Sequence, residues 1–142
     1  MAATITIYNS FKLALMDKEI DLEADTIKVS LHTSTYTPDI DNDTVIGDLS
    51  NELAASGNYS TGGETLTTLS TTQDNTDDEG VWDADDLTWT ALTQSAAFRY
   101  GVIYSVTATN ALIGYINFGA DQSPGGSDFI IQWAAEGILN IG

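Results

Sequence analysis

One histidine, His32, stands in a segment that also carries Ser30 and Ser34. A nucleophilic mechanism needs a hydroxyl, a base within hydrogen-bond reach and a group that orients the base. Residues two apart share one face of a strand, so spacing alone puts His32 beside both serines. No G-x-S-x-G elbow accompanies them to present the nucleophile. Ile27, Val29 and Leu31 alternate with Lys28, Ser30 and His32, the period-2 pattern of a strand with one buried and one wet face. His32 falls on the wet side. The expectation is a surface or interface histidine in a protein that is not an enzyme.

Carboxylates are the other chemical resource, 21 of them. Asp83, Asp85 and Asp86 lie between Trp82 and Trp89, which has the form of an acid pair beside sugar-stacking rings. Glycosidases hold two carboxylates about 5–9 Å apart, but a chain this acidic places some acids near a Trp by chance. The run 75–86 loosely follows the EF-hand spacing, with Gly80 at the turn. Asp77, Glu79, Asp83 and Asp86 are therefore candidate ligands for a weak calcium site. The run departs from the motif in having Glu79 where Asp or Asn is usual, Asp86 in place of the bidentate Glu, and no flanking helices. A solvated acidic loop is the favoured reading. Asp39, Asp41 and Asp43 share the early spacing but have Thr44 where Gly is required. Gly125-Gly126 precedes no helix and no Walker lysine, so no nucleotide cradle is present. No other cofactor is expected.

The charge balance excludes whole classes of partner. Lys12, Lys18, Lys28 and Arg99 face 21 acids, a formal charge of −17. Nucleic-acid binding displaces counterions with clustered cations, and four scattered ones form no stripe, so no nucleic acid is expected. The same holds for an anionic membrane surface. Strong acidity often marks disorder, but 42% hydrophobic residues with three Trp, six Tyr and four Phe supply a core. With no Cys there is no disulfide framework and no thiolate metal site. No apolar run approaches the ~20 residues that span a bilayer, and no signal peptide follows Met1. Synthesis in a host cytoplasm is expected.

Positioning these residues falls to short strands. Residues 2–8 alternate Thr with Ile and read as an edge strand or an N-terminal arm. A helix is predicted over 10–19, capped by Asn9 or Ser10, with Phe11 and Leu15 in its apolar stripe and Leu13 and Met16 nearby. Residues 36–48 read as a polar surface loop, 49–55 as a strand or a helical turn, and 64–71 as a Thr-rich strand. An exposed loop follows at 73–80, then strands at 81–84, 87–91, 98–104, 112–118, 129–133 and 138–141. Loops are expected at 106–110 and 120–127. About eight strands and one short helix without βαβ alternation predict a single all-β domain over 1–142, an antiparallel two-sheet β-sandwich of jelly-roll type.

Several segments, in order and over nearly the whole chain, carry a resemblance: YNSF at 8–11, IDLEADTIKVSLHTSTYTP at 20–38, GNYSTGGETL at 57–66, VWDADDLTW at 81–89, RYGVIY at 99–104, LIGYINFGADQSPGGSDFIIQW at 112–133, and EGIL at 136–139. Together they resemble a family of small virion structural proteins of tailed bacteriophages. The run DNTDDEG at 74–80 is longer and more acidic than that resemblance leads one to expect.

The resemblance implies a capsid decoration (cement) protein on the outer capsid surface of the virion. It would bind the major capsid protein, stabilise junctions between its subunits and act as a homo-oligomer, a dimer or trimer. It brings no catalytic motif. A tail, neck or head-fibre position is the alternative within the virion. A carbohydrate-binding module using an exposed Trp82 or Trp89 is the alternative outside it. The residues expected to bind the partner are Ala2, Ala3, Thr4, Ile5, Thr6, Ile7 and Tyr8, which as an arm would add a strand to a neighbour. The loops at 35–43 and 121–126 are second choices.

Overall fold

The computed structural model describes residues 2–142. Among the described residues the chain is mainly β, with ten strands, one α-helix and one 3-10 turn in the order β1 (Ile5–Ile7), α1 (Asn9–Met16), β2 (Ile27–His32), the 3-10 turn (Ile46–Asp48), β3 (Glu64–Thr65), β4 (Ser70–Asp74), β5 (Glu79–Asp83), β6 (Leu87–Leu92), β7 (Phe98–Ser105), β8 (Ala111–Gln122), β9 (Ser127–Ile131) and β10 (Leu139–Ile141). Three sheets form: a five-stranded one in the order β1-β8-β7-β2-β3, a three-stranded one, β10-β5-β4, and the pair β6-β9. Every strand pairing within them is antiparallel.

The main core explains the sandwich. Ile27, Val29 and Leu31 of β2, Ile103 of β7 and Ile116 of β8 leave one face of the large sheet. They meet Trp82 of β5, Leu87, Trp89 and Leu92 of β6 and Ile131 of β9, with Phe11 and Ala14 of α1 closing one end. Pairing of β1 with β8 and of β2 with β7 brings the chain's two halves together in one sheet. The β7–β8 hairpin lies side by side in the large sheet, and the opposite layer is split into sheets of three and two strands.

The large sheet is buried on its second face as well. Tyr8, Tyr36, Val102, Tyr104 and Leu112 form a separate core there, with Ile40, Ile46, Leu49, Tyr100 and Tyr115 against it. Residues 36–48, expected as a surface loop, lie across this face. The loop is strapped down by Asn9 N–H to the Ile40 carbonyl at 3.0 Å, Ile46 N–H to Asn110 at 2.9 Å and Leu112 N–H to Thr44 at 2.9 Å. A register shift between Ile103 and Tyr104 leaves Ile113 as an extra residue and lets Ile113 and Ile116, three apart, face the same core, which strict alternation forbids and a β-bulge permits.

Other boundaries moved for local reasons. The helix starts one residue earlier than expected, with Tyr8 rather than Asn9 or Ser10 at the N-cap. It ends at Met16, where Lys18 turns left-handed at φ 60° and Glu19 N–H bonds the Ala14 carbonyl at 2.9 Å, a Schellman-type stop. Leu13 and Met16 point outward, 58% and 75% exposed. The acidic run at 73–80 is a hairpin: Gln73 and Asp74 pair with Gly80 and Glu79, so only 75–78 is turn. The 120–127 loop shrinks to 123–126 because β8 continues through Gln122.

Candidate functional site

Ser30 and His32 do meet. Ser30 Oγ lies 2.9 Å from His32 Nε2, and His32 Nδ1 lies 3.0 Å from the Ser50 carbonyl. A carbonyl only accepts, so Nδ1 carries the ring proton and Nε2 accepts from the serine hydroxyl. This is the geometry of a primed nucleophile, but it is sealed: His32 is 1% exposed and Ser30 0%. The prediction of a wet-face histidine is corrected. The second core covers β2's other side, and the Tyr36 ring packs 5.3 Å from the imidazole. Burial pushes the His32 pKa down, against the opposing pull of the Ser50 carbonyl and the Glu52 carboxylate.

The neighbouring tyrosines are likewise used up internally. Tyr36 OH donates to Asp43 Oδ2 at 3.0 Å, so Tyr8 OH, 2.8 Å away, donates to Tyr36. Tyr59 OH accepts from Leu31 N–H at 2.9 Å and donates to Glu52 Oε1 at 2.9 Å, and the same oxygen takes Gly62 N–H at 2.6 Å. Burial is the leading cause of the raised pKa of Tyr8, Tyr36 and Tyr59. These hydroxyls stay protonated and structural.

The Trp–acid constellation dissolves on inspection of its parts. Trp82 and Trp89 are 2% and 1% exposed, so neither offers a stacking face to a sugar and the premise of an exposed Trp is overturned. Trp82 Nε1 donates to the Leu22 carbonyl at 2.8 Å, and Trp89 packs between Tyr59 and Phe129. Asp85 accepts from the Thr68 hydroxyl at 2.6 Å and Asp86 from Trp133 N–H at 2.9 Å, which ties β6 to the chain after β9.

The four calcium candidates are not brought together. Asp77 sits in the 75–78 turn, while Glu79 and Asp83 begin and end β5. Four residue steps of strand separate those two by roughly 13 Å. Glu79 Oε1 accepts from Asn140 Nδ2 at 2.5 Å, and Asp86 is held at Trp133 as above. Among the described residues no three His, Cys, Asp or Glu side chains gather at metal-holding distance. Asp39 acts as an acidic staple for its own loop, accepting from Asp41 N–H, Asn42 N–H and the Asn42 side chain. The Asn42 and backbone bonds lower its pKa.

The N-terminal residues lie at an edge of the large sheet. Ile5, Thr6 and Ile7 pair with Ile116, Tyr115 and Gly114 of β8. They are the edge strand of their own sheet rather than a free arm. Ala3 N–H reaches the Gln132 carbonyl at 2.7 Å, and Tyr8 is fully buried. Since β1 ends the sheet order, its outer row of backbone groups has no strand beside it. Ala2, Ala3 and Thr4 also line a groove of about 300 Å³ with Phe118, Phe129 and Ile130, the last 54% exposed. Of the second-choice loops, 35–43 is the strap over the tyrosine core. Of the 121–126 segment, Asp121 belongs to the end of β8 and lies 3.6 Å from Arg99 Nε, an ion pair too long to be a hydrogen bond.

Sequence reasoning missed the second core and the outward face of α1. The first had little signal: Phe98, Tyr100, Val102 and Tyr104 form one alternating set of β7 against Arg99, Gly101, Ile103 and Ser105, and only a register shift between Phe98 and Tyr100 sends Phe98 to the main core. Compared with protein-family models, curated proteins and solved structures, the chain matches none. No helix among the described residues is long and apolar enough to cross a membrane.

Proposed function

We propose that this chain is a bacteriophage virion structural protein that decorates the outer capsid surface. It binds the major capsid protein and stabilises the junctions between its subunits, and it performs no reaction. The observation that carries the reading is the use made of charge and of polar groups. A chain of charge −17 builds a folded sandwich whose Ser–His pair is sealed and several of whose acids, Asp21, Asp39, Asp48 and Asp74 among them, cap its own loops and turns. Packaged DNA repels such a surface, whereas the outer face of a shell does not. The segment-by-segment resemblance to small tailed-phage virion proteins gives the reading its specific form.

Within it, β1 is the contact edge. A neighbouring strand can extend the large sheet there by main-chain hydrogen bonds, with the adjoining groove receiving side chains. Repetition of a modest contact around the shell adds avidity. The test is co-sedimentation of purified protein with shells stripped of it. The wild-type chain should pellet with the shells and raise their melting temperature. Thr4→Lys combined with Thr6→Lys, both at exposed positions, should weaken pelleting, because lysines block edge pairing. Binding to isolated tails but not to shells would overturn the capsid assignment, and undiminished shell binding by the double variant would overturn the role of β1.

A further inference from the structure

The outer face of α1 is where the chain's charge changes character. Lys12, Leu13, Met16 and Asp17 are all exposed. At ~100° per residue they share one arc of the helix, opposite the buried Phe11 and Ala14. Leu13 and Met16 are the two most exposed large hydrophobic side chains among the described residues. Two of the chain's four cations, Lys12 and Lys18, flank them, balanced by Asp17 and Glu19. Residues 12–19 are thus neutral in a molecule of charge −17.

Beside this face runs a groove of about 520 Å³, bounded by Leu13, Val45, Ala108 and Ala111. The Ser10 hydroxyl on its wall is buried without a hydrogen-bond partner. Val106, at the start of the adjoining β7–β8 connection, is 41% exposed.

We infer that this face is where a second copy of the chain docks, α1 against α1 across a two-fold axis. The argument is electrostatic as much as hydrophobic. Two copies approaching through most other surfaces meet like charge. Here the segment is neutral and self-complementary, so the lysines of one copy reach Asp17 and Glu19 of the other. A two-fold contact makes each such pair twice. Leu13 and Met16 would be removed from water at the centre.

An eight-residue helix is only ~12 Å long, too short alone for the ~1,200–2,000 Å² of a stable interface. The 106–110 connection and Val45, on the groove's far wall, extend the contact. The inference does not depend on the capsid reading, since it concerns the isolated protein.

Sedimentation equilibrium over a wide concentration series tests it. The wild-type chain should have twice the 15.2 kDa chain mass. Leu13→Asp and Met16→Asp should each halve that mass while leaving circular dichroism intact, because neither side chain belongs to the core, and should lower the melting temperature no further than dilution of the wild type to monomer does. The chain has no Cys, so Met16→Cys should give a disulfide-linked dimer on oxidation and Asp77→Cys should not. A monomeric wild type, or a dimer unchanged by Met16→Asp, overturns the inference. A monomer whose shell binding falls with Met16→Asp also overturns it, by giving the face to a different protein.

Discussion

If the Ser30–His32 pair is structural, replacing His32 by Ala should damage the fold and nothing else. The imidazole is 1% exposed and joins two groups, the Ser30 hydroxyl and the Ser50 carbonyl. Its removal orphans the buried Ser30 hydroxyl, at about 1–3 kcal/mol, takes a partner from the carbonyl of the more exposed Ser50, and leaves a cavity under Tyr36. A loss of about 4 kcal/mol is expected, a large part of the ~7–20 kcal/mol available to a chain of this size. At ~2–4 °C per kcal/mol, the melting temperature should fall by roughly 10 °C, read from the fluorescence of the buried Trp residues. Ser30→Ala removes only the Nε2 partner and should cost about 1–2 kcal/mol. The double variant should cost less than the sum by about 1 kcal/mol. A serine-directed fluorophosphonate should leave Ser30 of the folded protein unlabelled. Labelling of Ser30, or a His32→Ala shift smaller than ~2 °C, would refute the sealed-pair reasoning.

Three further outcomes are expected. A Cβ at Gly114 would stand 2.9 Å from the Thr6 carbonyl oxygen. Gly114→Ala should therefore loosen β1, with faster hydrogen exchange at residues 5–7, unchanged protection in β2, and a cost of about 1–2 kcal/mol; equal protection in both would contradict the packing. Trp emission should be blue-shifted, poorly quenched by acrylamide and indifferent to oligosaccharides; a glycan-induced shift would revive the carbohydrate reading. The lowered His32 pKa means the unfolded chain binds a proton first as pH falls below 6.5. Stability contributed by the neutral ring is then present above that value and lost below it. Comparison of the wild type with His32→Gln from about pH 7 to about pH 5 should show the steeper loss in the wild type, and parallel curves would contradict it.

How much of this was legible depends on the element. The alternation of Ile27, Val29 and Leu31 specified β2 and its core face, and the spacing of Trp82 and Trp89 marked two strands of the opposite layer. What sequence periodicity could not supply was the second cover. Ser30 and His32 look wet until residues 36–48 are known to fold over them, and that depends on non-local bonds such as Ile46 to Asn110. The helix misled for a related reason. Leu13 and Met16 are apolar but stand opposite the stripe formed by Phe11 and Ala14, so composition alone suggested a wider buried face than the sandwich provides. The EF-hand-like spacing did not foretell the geometry, because a hairpin rather than an EF-hand loop spreads its acids along β5 and its turn. Asn9 lost the expected cap position because Tyr8 keeps extended backbone there and is anchored by Tyr36.

The most direct test of the decoration reading is the copy number of this chain in a purified virion, counted by quantitative mass spectrometry against the major capsid protein. A shell decoration should be present at on the order of hundreds of copies, in fixed ratio to capsid subunits, whereas about six or twelve copies would place it in a ring at the neck or tail. The account expects the first result, and the second would contradict it.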